Sequence, residues 1–187
     1  MSTQRSRGLV VWITGLSCSG KTTVAHELTA ILRRERAACL VLDGDELRSA
    51  IADDLGYGLD DRRRCAWRYA RLATALARQD VCVVVATVSP FEDVRRWVRA
   101  TAPDYFEVFL RVPRALRLAR DRRGIYRRPE VIGEDLPFEP PPAPDLIIDD
   151  DGGSPARSIA LRIGSALAAR GASAATGTGS PPDGGRA

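Results

Sequence analysis

Lysine is almost missing from this chain. Lys21 is the only one among 187 residues, and apart from one histidine every other basic side chain is arginine. Cysteine is also scarce and unpatterned. Cys18, Cys39, Cys65 and Cys82 form no C-x-x-C pair and no metal-ligand spacing, which argues against a disulfide framework and for a reducing interior. No apolar run is long enough to span a membrane. The stretch after the basic start "MSTQRSRG" is too short for a secretory signal, and the length leaves no room for two separate cores. The absences together describe a single soluble domain, expected in the cytoplasm and without a membrane partner. The net charge of +4 is carried almost wholly by arginine and suits a small anionic partner.

Short apolar runs alternate with helical patterns along the chain. "LVVWIT" (Leu9 to Thr14) reads as a strand buried on both faces. "CLVLD" from Cys39, "VCVVVATV" from Val81, "FEVFLRV" from Phe106 and "DLIID" from Asp145 read as four more. Helical spacing follows Lys21 and recurs over Arg62 to Ala77 and Phe91 to Arg99. A capping serine and a first-turn proline open a closing helix at Ser154. This alternation predicts an α/β fold whose parallel sheet, five-stranded if "DLIID" is counted, is covered by helices on both faces. Residues 1–7 are expected to be a flexible start, 8–170 the domain, and 171–187 a disordered tail with little to bury.

The lone lysine lies in "GLSCSGKTT", which fits G-x-x-x-x-G-K-[ST] with Gly15, Gly20, Lys21 and Thr22 in register, after a buried strand and opening a helix. Glycines let such a loop wrap its N–H groups around phosphate, and the helix N-terminus adds positive potential. Lysine suits the place because a compact ammonium on a thin stem reaches the β/γ-phosphates, whereas guanidinium is bulkier and prefers a forked acceptor. Thr22 is the expected magnesium ligand. ATP is therefore predicted to be held by Gly15, Ser17, Cys18, Ser19, Gly20, Lys21, Thr22 and Thr23. Asp43 and Asp45, in "VLDGDELR", end the second strand, where strand termini converge on a ligand crevice. One suits magnesium organised through water, and the other suits accepting a proton from an attacking hydroxyl. A turn with an N-cap explains D-G-D equally well.

The motifs "GLSCSGKTT", "VLDGDELR", "DLGYGLDDR", "VSPF", "RGIY" and "PFEPP" occur in the order and spacing of adenylyl-sulfate kinases, and the chain resembles that family from Gly8 to Arg170. The resemblance implies a P-loop kinase with a lid over about residues 121–141, moving the ATP γ-phosphate to the 3′-hydroxyl of adenylyl sulfate. It implies that Lys21, Asp43 and Asp45 are catalytic, that Thr22 and Asp43 serve Mg2+, and that Arg120 lies against the ATP adenine. It assigns Arg48, Tyr57, Arg62, Val88, Ser89 and Arg123 to the acceptor. Two further acceptor positions depart from the family pattern. Cys65 replaces an asparagine, and Val131 replaces an adenine-stacking aromatic. Trp67 and Glu92 each stand where the family has arginine, and the lid is shorter.

A same-fold kinase for another hydroxylated metabolite, of nucleotide or sugar type, is the alternative. A non-catalytic nucleotide-binding module is the third, against which the Asp43/Asp45 pair counts. The chain has eight arginines from Arg111 to Arg128 but no aromatic-interleaved motif, so nucleic acid is not an expected partner. A homodimer is left open. His26 is expected at the surface or in packing. Cys18, near a helix N-terminus, is expected to have a depressed pKa.

Overall fold

A computed structural model describes residues 7–36 and 38–176, with side chains as far as residue 172. The elements run β1 (Leu9–Thr14), α1 (Lys21–Leu32), β2 (Cys39–Asp43), α2 (Gly44–Ile51), α3 (Leu59–Ala77) and β3 (Cys82–Ala86). They continue with α4 (Glu92–Thr101), β4 (Tyr105–Arg111), α5 (Arg114–Ala119), a single 3-10 turn (Ile125–Arg127), β5 (Leu146–Asp149) and α6 (Ala156–Thr176). The five strands are parallel in the order β2-β3-β1-β4-β5.

Central position explains the unbroken apolar run of β1, because every one of its residues is buried. Alternate side chains feed two cores. Val11 and Ile13 pack with Leu28 of α1 and with Ile159 and Ile163 of α6. Val10 and Trp12 pack on the opposite face with α3 and α4. Burial of each such aliphatic side chain stabilises the fold by about 1.5–3 kcal/mol. On α3 the inward stripe is Ala66, Ala70, Ala73 and Ala77, small residues that let the helix lie close to the sheet. Ala73→Leu would overpack this contact by about 1–3 kcal/mol.

After β3 the chain crosses from one side of β1 to the other. Such a crossing opens a crevice outside the carboxyl ends of the strands, and the ends of β1, β2 and β3 carry the phosphate loop, the D-G-D turn and the "TVSP" rim.

Two sequence expectations need correction. The third helix begins at Leu59, not Arg62, because Gly58 takes the N-cap position and Asp60 and Asp61 occupy the first turn, where carboxylates complement the helix dipole. The D-G-D turn opens a helix, α2, with Asp43 at its N-cap, as the capping reading has it. The closing helix passes Gly171 and runs to Thr176, since an alanine-rich stretch tolerates one glycine at a cost of about 1 kcal/mol. The rest of the expected tail, 177–187, and residues 1–6 of the expected flexible start lie outside the described residues.

Candidate active site

Leaving β1, the chain turns back sharply at Gly15. A Cβ there would sit 2.5 Å from the Leu110 carbonyl oxygen, so no larger residue fits. Gly20 adopts φ 88° as it opens α1, a left-handed value that favours glycine. Lys21 is buried, and its Nζ donates to the Leu16 carbonyl at 2.8 Å and to Ser19 Oγ at 3.3 Å. Burial pulls the ammonium down to about 8, against the opposing pull of Asp43 and Asp45. Cys18 departs from expectation. Burial and the neighbouring Asp121 carboxylate push its thiol up, not down. His26 is exposed, as expected of a surface residue.

Asp43 has two functions at once. Its Oδ1 accepts from the N–H groups of Asp45 (2.8 Å) and Glu46 (3.4 Å), capping α2, while its Oδ2 accepts from Thr22 Oγ1 at 2.6 Å. Thus the cap and the contact with the phosphate loop are the same residue. Two hard oxygen donors adjoining a phosphate loop fit Mg2+, which takes one or two protein oxygens beside phosphate and water. Among the described residues no group of three or more His, Cys, Asp or Glu side chains could hold a metal by itself.

A cavity of about 510 Å³ runs from the loop residues Ser17 to Thr23, past Asp43 and Asp45, to Arg120 and Ile159. At its far end Arg120 Nη1 donates to Asp150 Oδ2 at 3.0 Å, and Asp150 is buried. A second cavity of about 710 Å³ is lined by all eight of the expected acceptor-side residues, Val131 and Cys65 included. Both cavities reach Asp45 and Arg123. In the second, Tyr57 lies under Arg48 (4.4 Å from guanidinium carbon to ring centroid) and Arg62 (5.3 Å). Arg48 Nη1 donates to the Leu55 and Gly56 carbonyls, and Arg62 donates to those of Tyr57 and Glu130.

Trp67 does not join this site. It packs edge-on against Trp97 of α4, with ring centroids 5.5 Å apart, beside the core between these helices and the sheet. Glu92 pairs with Arg96 one turn along α4 and donates its N–H to Glu139.

Several residues that hold the site together are given no role of their own by the sequence. Tyr126, inside "RGIY", donates its hydroxyl proton to the Ser17 carbonyl at 2.8 Å and accepts from buried Arg117. Asp121 accepts the Ile125 and Tyr126 N–H groups, both at 2.9 Å, so the start of the expected lid is pinned to the phosphate loop. Arg95, 2% exposed, pairs with Glu107 at 3.0 Å and donates to the Ser89 (2.6 Å) and Glu139 (2.7 Å) carbonyls. It ties the rim after β3 to the far end of the expected lid segment. Helical spacing on α4 places Arg95 on the inward face, and a charged residue on an apolar face was the only available hint.

The model of the adenylylsulphate kinase family matches residues 7–149. The chain belongs to this family. It is 40% identical over 153 residues to the adenylyl-sulfate kinase of Paraburkholderia xenovorans, covering 78% of this chain and 86% of that one. It is 36% identical over 148 residues to that of Rippkaea orientalis, covering 76% and 82%. Among solved structures, the Mycobacterium tuberculosis APS kinase CysC, in complex with AMPPNP and APS, is 34% identical with a TM-score of 0.79. That match covers 87% of this chain and 98% of the other. In this chain the phosphate-loop cavity and an arginine-lined second cavity share one wall. Among the described residues no helix is long and apolar enough to cross a membrane.

Proposed function

We infer that this protein is an adenylyl-sulfate kinase, moving the γ-phosphate of ATP to the 3′-hydroxyl of adenylyl sulfate to give ADP and 3′-phosphoadenylyl sulfate. One observation carries the reading beyond family membership. A cavity built on the phosphate loop and a cavity lined by Arg48, Arg62 and Tyr57, among others, meet at one shared carboxylate, the exposed Asp45. A bare nucleotide-binding module has no use for the second cavity.

The phosphate loop cradles the triphosphate through its N–H groups, and Lys21 exchanges its contacts with Leu16 and Ser19 for phosphate oxygens. Arg120 lies along the ATP base. Thr22 and Asp43 would hold Mg2+, which when bound neutralises charge on the β- and γ-phosphates. Arg48 and Arg62 bind the anionic groups of the acceptor, with Tyr57 against its adenine. Val88, Ser89 and Val131 line the same cavity. Asp45 accepts the 3′-hydroxyl proton as that oxygen bonds to the γ-phosphorus and the bond to ADP breaks. Arg123, paired with Asp45 in this structure, turns to the transferring phosphoryl group.

The test is ADP formation with magnesium and ATP, alone and with adenylyl sulfate or a panel of sugars and nucleosides, with products identified chromatographically. Equimolar ADP and 3′-phosphoadenylyl sulfate are expected. ADP formed without any acceptor, or only with another acceptor, would overturn the reading.

A further inference from the structure

The reaction needs Asp45 aimed at the acceptor hydroxyl, yet little holds its side chain. The carboxylate is 69% exposed and its ion-pair partner Arg123 is 65% exposed. A pair so exposed is screened by water and holds neither side chain firmly. Aim must therefore come from the backbone beneath. Two contacts steady the turn against the sheet. The Asp43 carboxylate caps the Asp45 N–H, and Gly44 lies so close to β3 that a Cβ would stand 3.3 Å from Thr87 Cγ2. A third contact comes from α3, which carries Arg62 and Cys65 of the acceptor cavity.

We propose that Tyr69 is a positioning residue for phosphoryl transfer: its phenol, set between the Cys65 thiol and the Gly44 carbonyl, ties the turn that aims Asp45 to the helix that holds the acceptor. The Gly44 carbonyl can only accept, so the phenol proton points to it, at 3.2 Å. The phenol oxygen is then free to accept from Cys65 Sγ, at 2.7 Å. The order is therefore thiol to phenol to carbonyl. Cys65 and Tyr69 are both buried and both line the acceptor cavity, so the chain of bonds runs along the cavity wall. The Cys65 proton is used within the protein rather than offered to a ligand. A misplacement of about 1 Å between reacting groups can cost on the order of 100-fold in rate, which gives one hydrogen bond under the Asp45 turn its leverage.

This inference rests on the adenylyl-sulfate kinase reading, so wild-type activity with adenylyl sulfate is measured first. Its absence would remove both. Tyr69→Phe keeps the ring packing and deletes only the hydroxyl. Its kcat should fall about tenfold, the worth of roughly one hydrogen bond, with KM for ATP unchanged. The discriminating readout is a double-mutant cycle followed by single-turnover transfer. In the Asp45→Asn background the same Tyr69→Phe change should alter the rate less than about twofold, because the group it aims is gone. Wild-type kcat in Tyr69→Phe, or an undiminished tenfold loss on top of Asp45→Asn, would overturn the proposal while leaving the kinase reading in place.

Discussion

Asp45 and Arg123 face each other across the mouth of the site, carboxylate to guanidinium at 2.6 Å. The first sits on the turn after β2 and the second on the expected lid segment, and both residues line both cavities. Replacing Asp45 with asparagine keeps the shape and removes the proposed base. Transfer should slow by about 10²–10⁴-fold, with ATP affinity by calorimetry unchanged. Intact turnover with altered nucleotide affinity would reduce Asp45 to a turn-former.

Lys21→Ala should abolish transfer, and Lys21→Arg should come close to doing so. The native ammonium fits a buried niche against the Leu16 carbonyl and Ser19 Oγ, whereas a planar fork cannot enter as a point charge. Steady-state turnover is the measurement. Near-normal activity of Lys21→Arg would refute the compact-charge argument.

Arg95→Met should weaken the whole domain. It leaves Glu107 buried with only Arg99, at 3.2 Å, as a remaining cationic partner, and breaking a buried pair from one side costs about 3–5 kcal/mol. At roughly 2–4 °C per kcal/mol for a domain of this size, calorimetry should show Tm lower by about 6–20 °C. Because Arg95 also holds the Ser89 carbonyl, KM for adenylyl sulfate should rise as well. A Tm within a degree of wild type would show that the network contributes nothing.

Val131→Phe should improve capture of adenylyl sulfate. An aromatic ring over adenine adds about 1–3 kcal/mol of stacking, or roughly 5- to 150-fold in affinity. Cys65→Asn should add about 1 kcal/mol more of hydrogen bonding only when Tyr69→Phe accompanies it, since otherwise the new amide is taken up by the phenol. Direct binding of adenylyl sulfate to the single and combined variants checks both statements. Equal affinity of Val131→Phe and wild type would mean that the acceptor's base lies elsewhere in the cavity.

The phosphate loop is legible in the sequence because its constraints are local. The tight approach at Gly15 and the left-handed Gly20 admit few residues, and Lys21 reaches its contacts within five positions along the chain. The strand β1 is legible for a similar reason, since burial on both faces leaves an unbroken apolar run. The D-G-D turn was half legible. Its capping and loop-facing uses looked like alternatives, whereas one carboxylate with two oxygens serves both. Other relationships were decided only when helices packed on the sheet. Arg123 meets Asp45 across 78 positions, and Tyr69 meets Gly44 across 25. Trp67, expected in place of a family arginine, turns instead to Trp97 on the neighbouring helix. Periodicity tells which face of a helix is buried, but the partner on that face depends on where the next element lies. Side chains that find their partners across elements become readable only when the tertiary structure has set those distances.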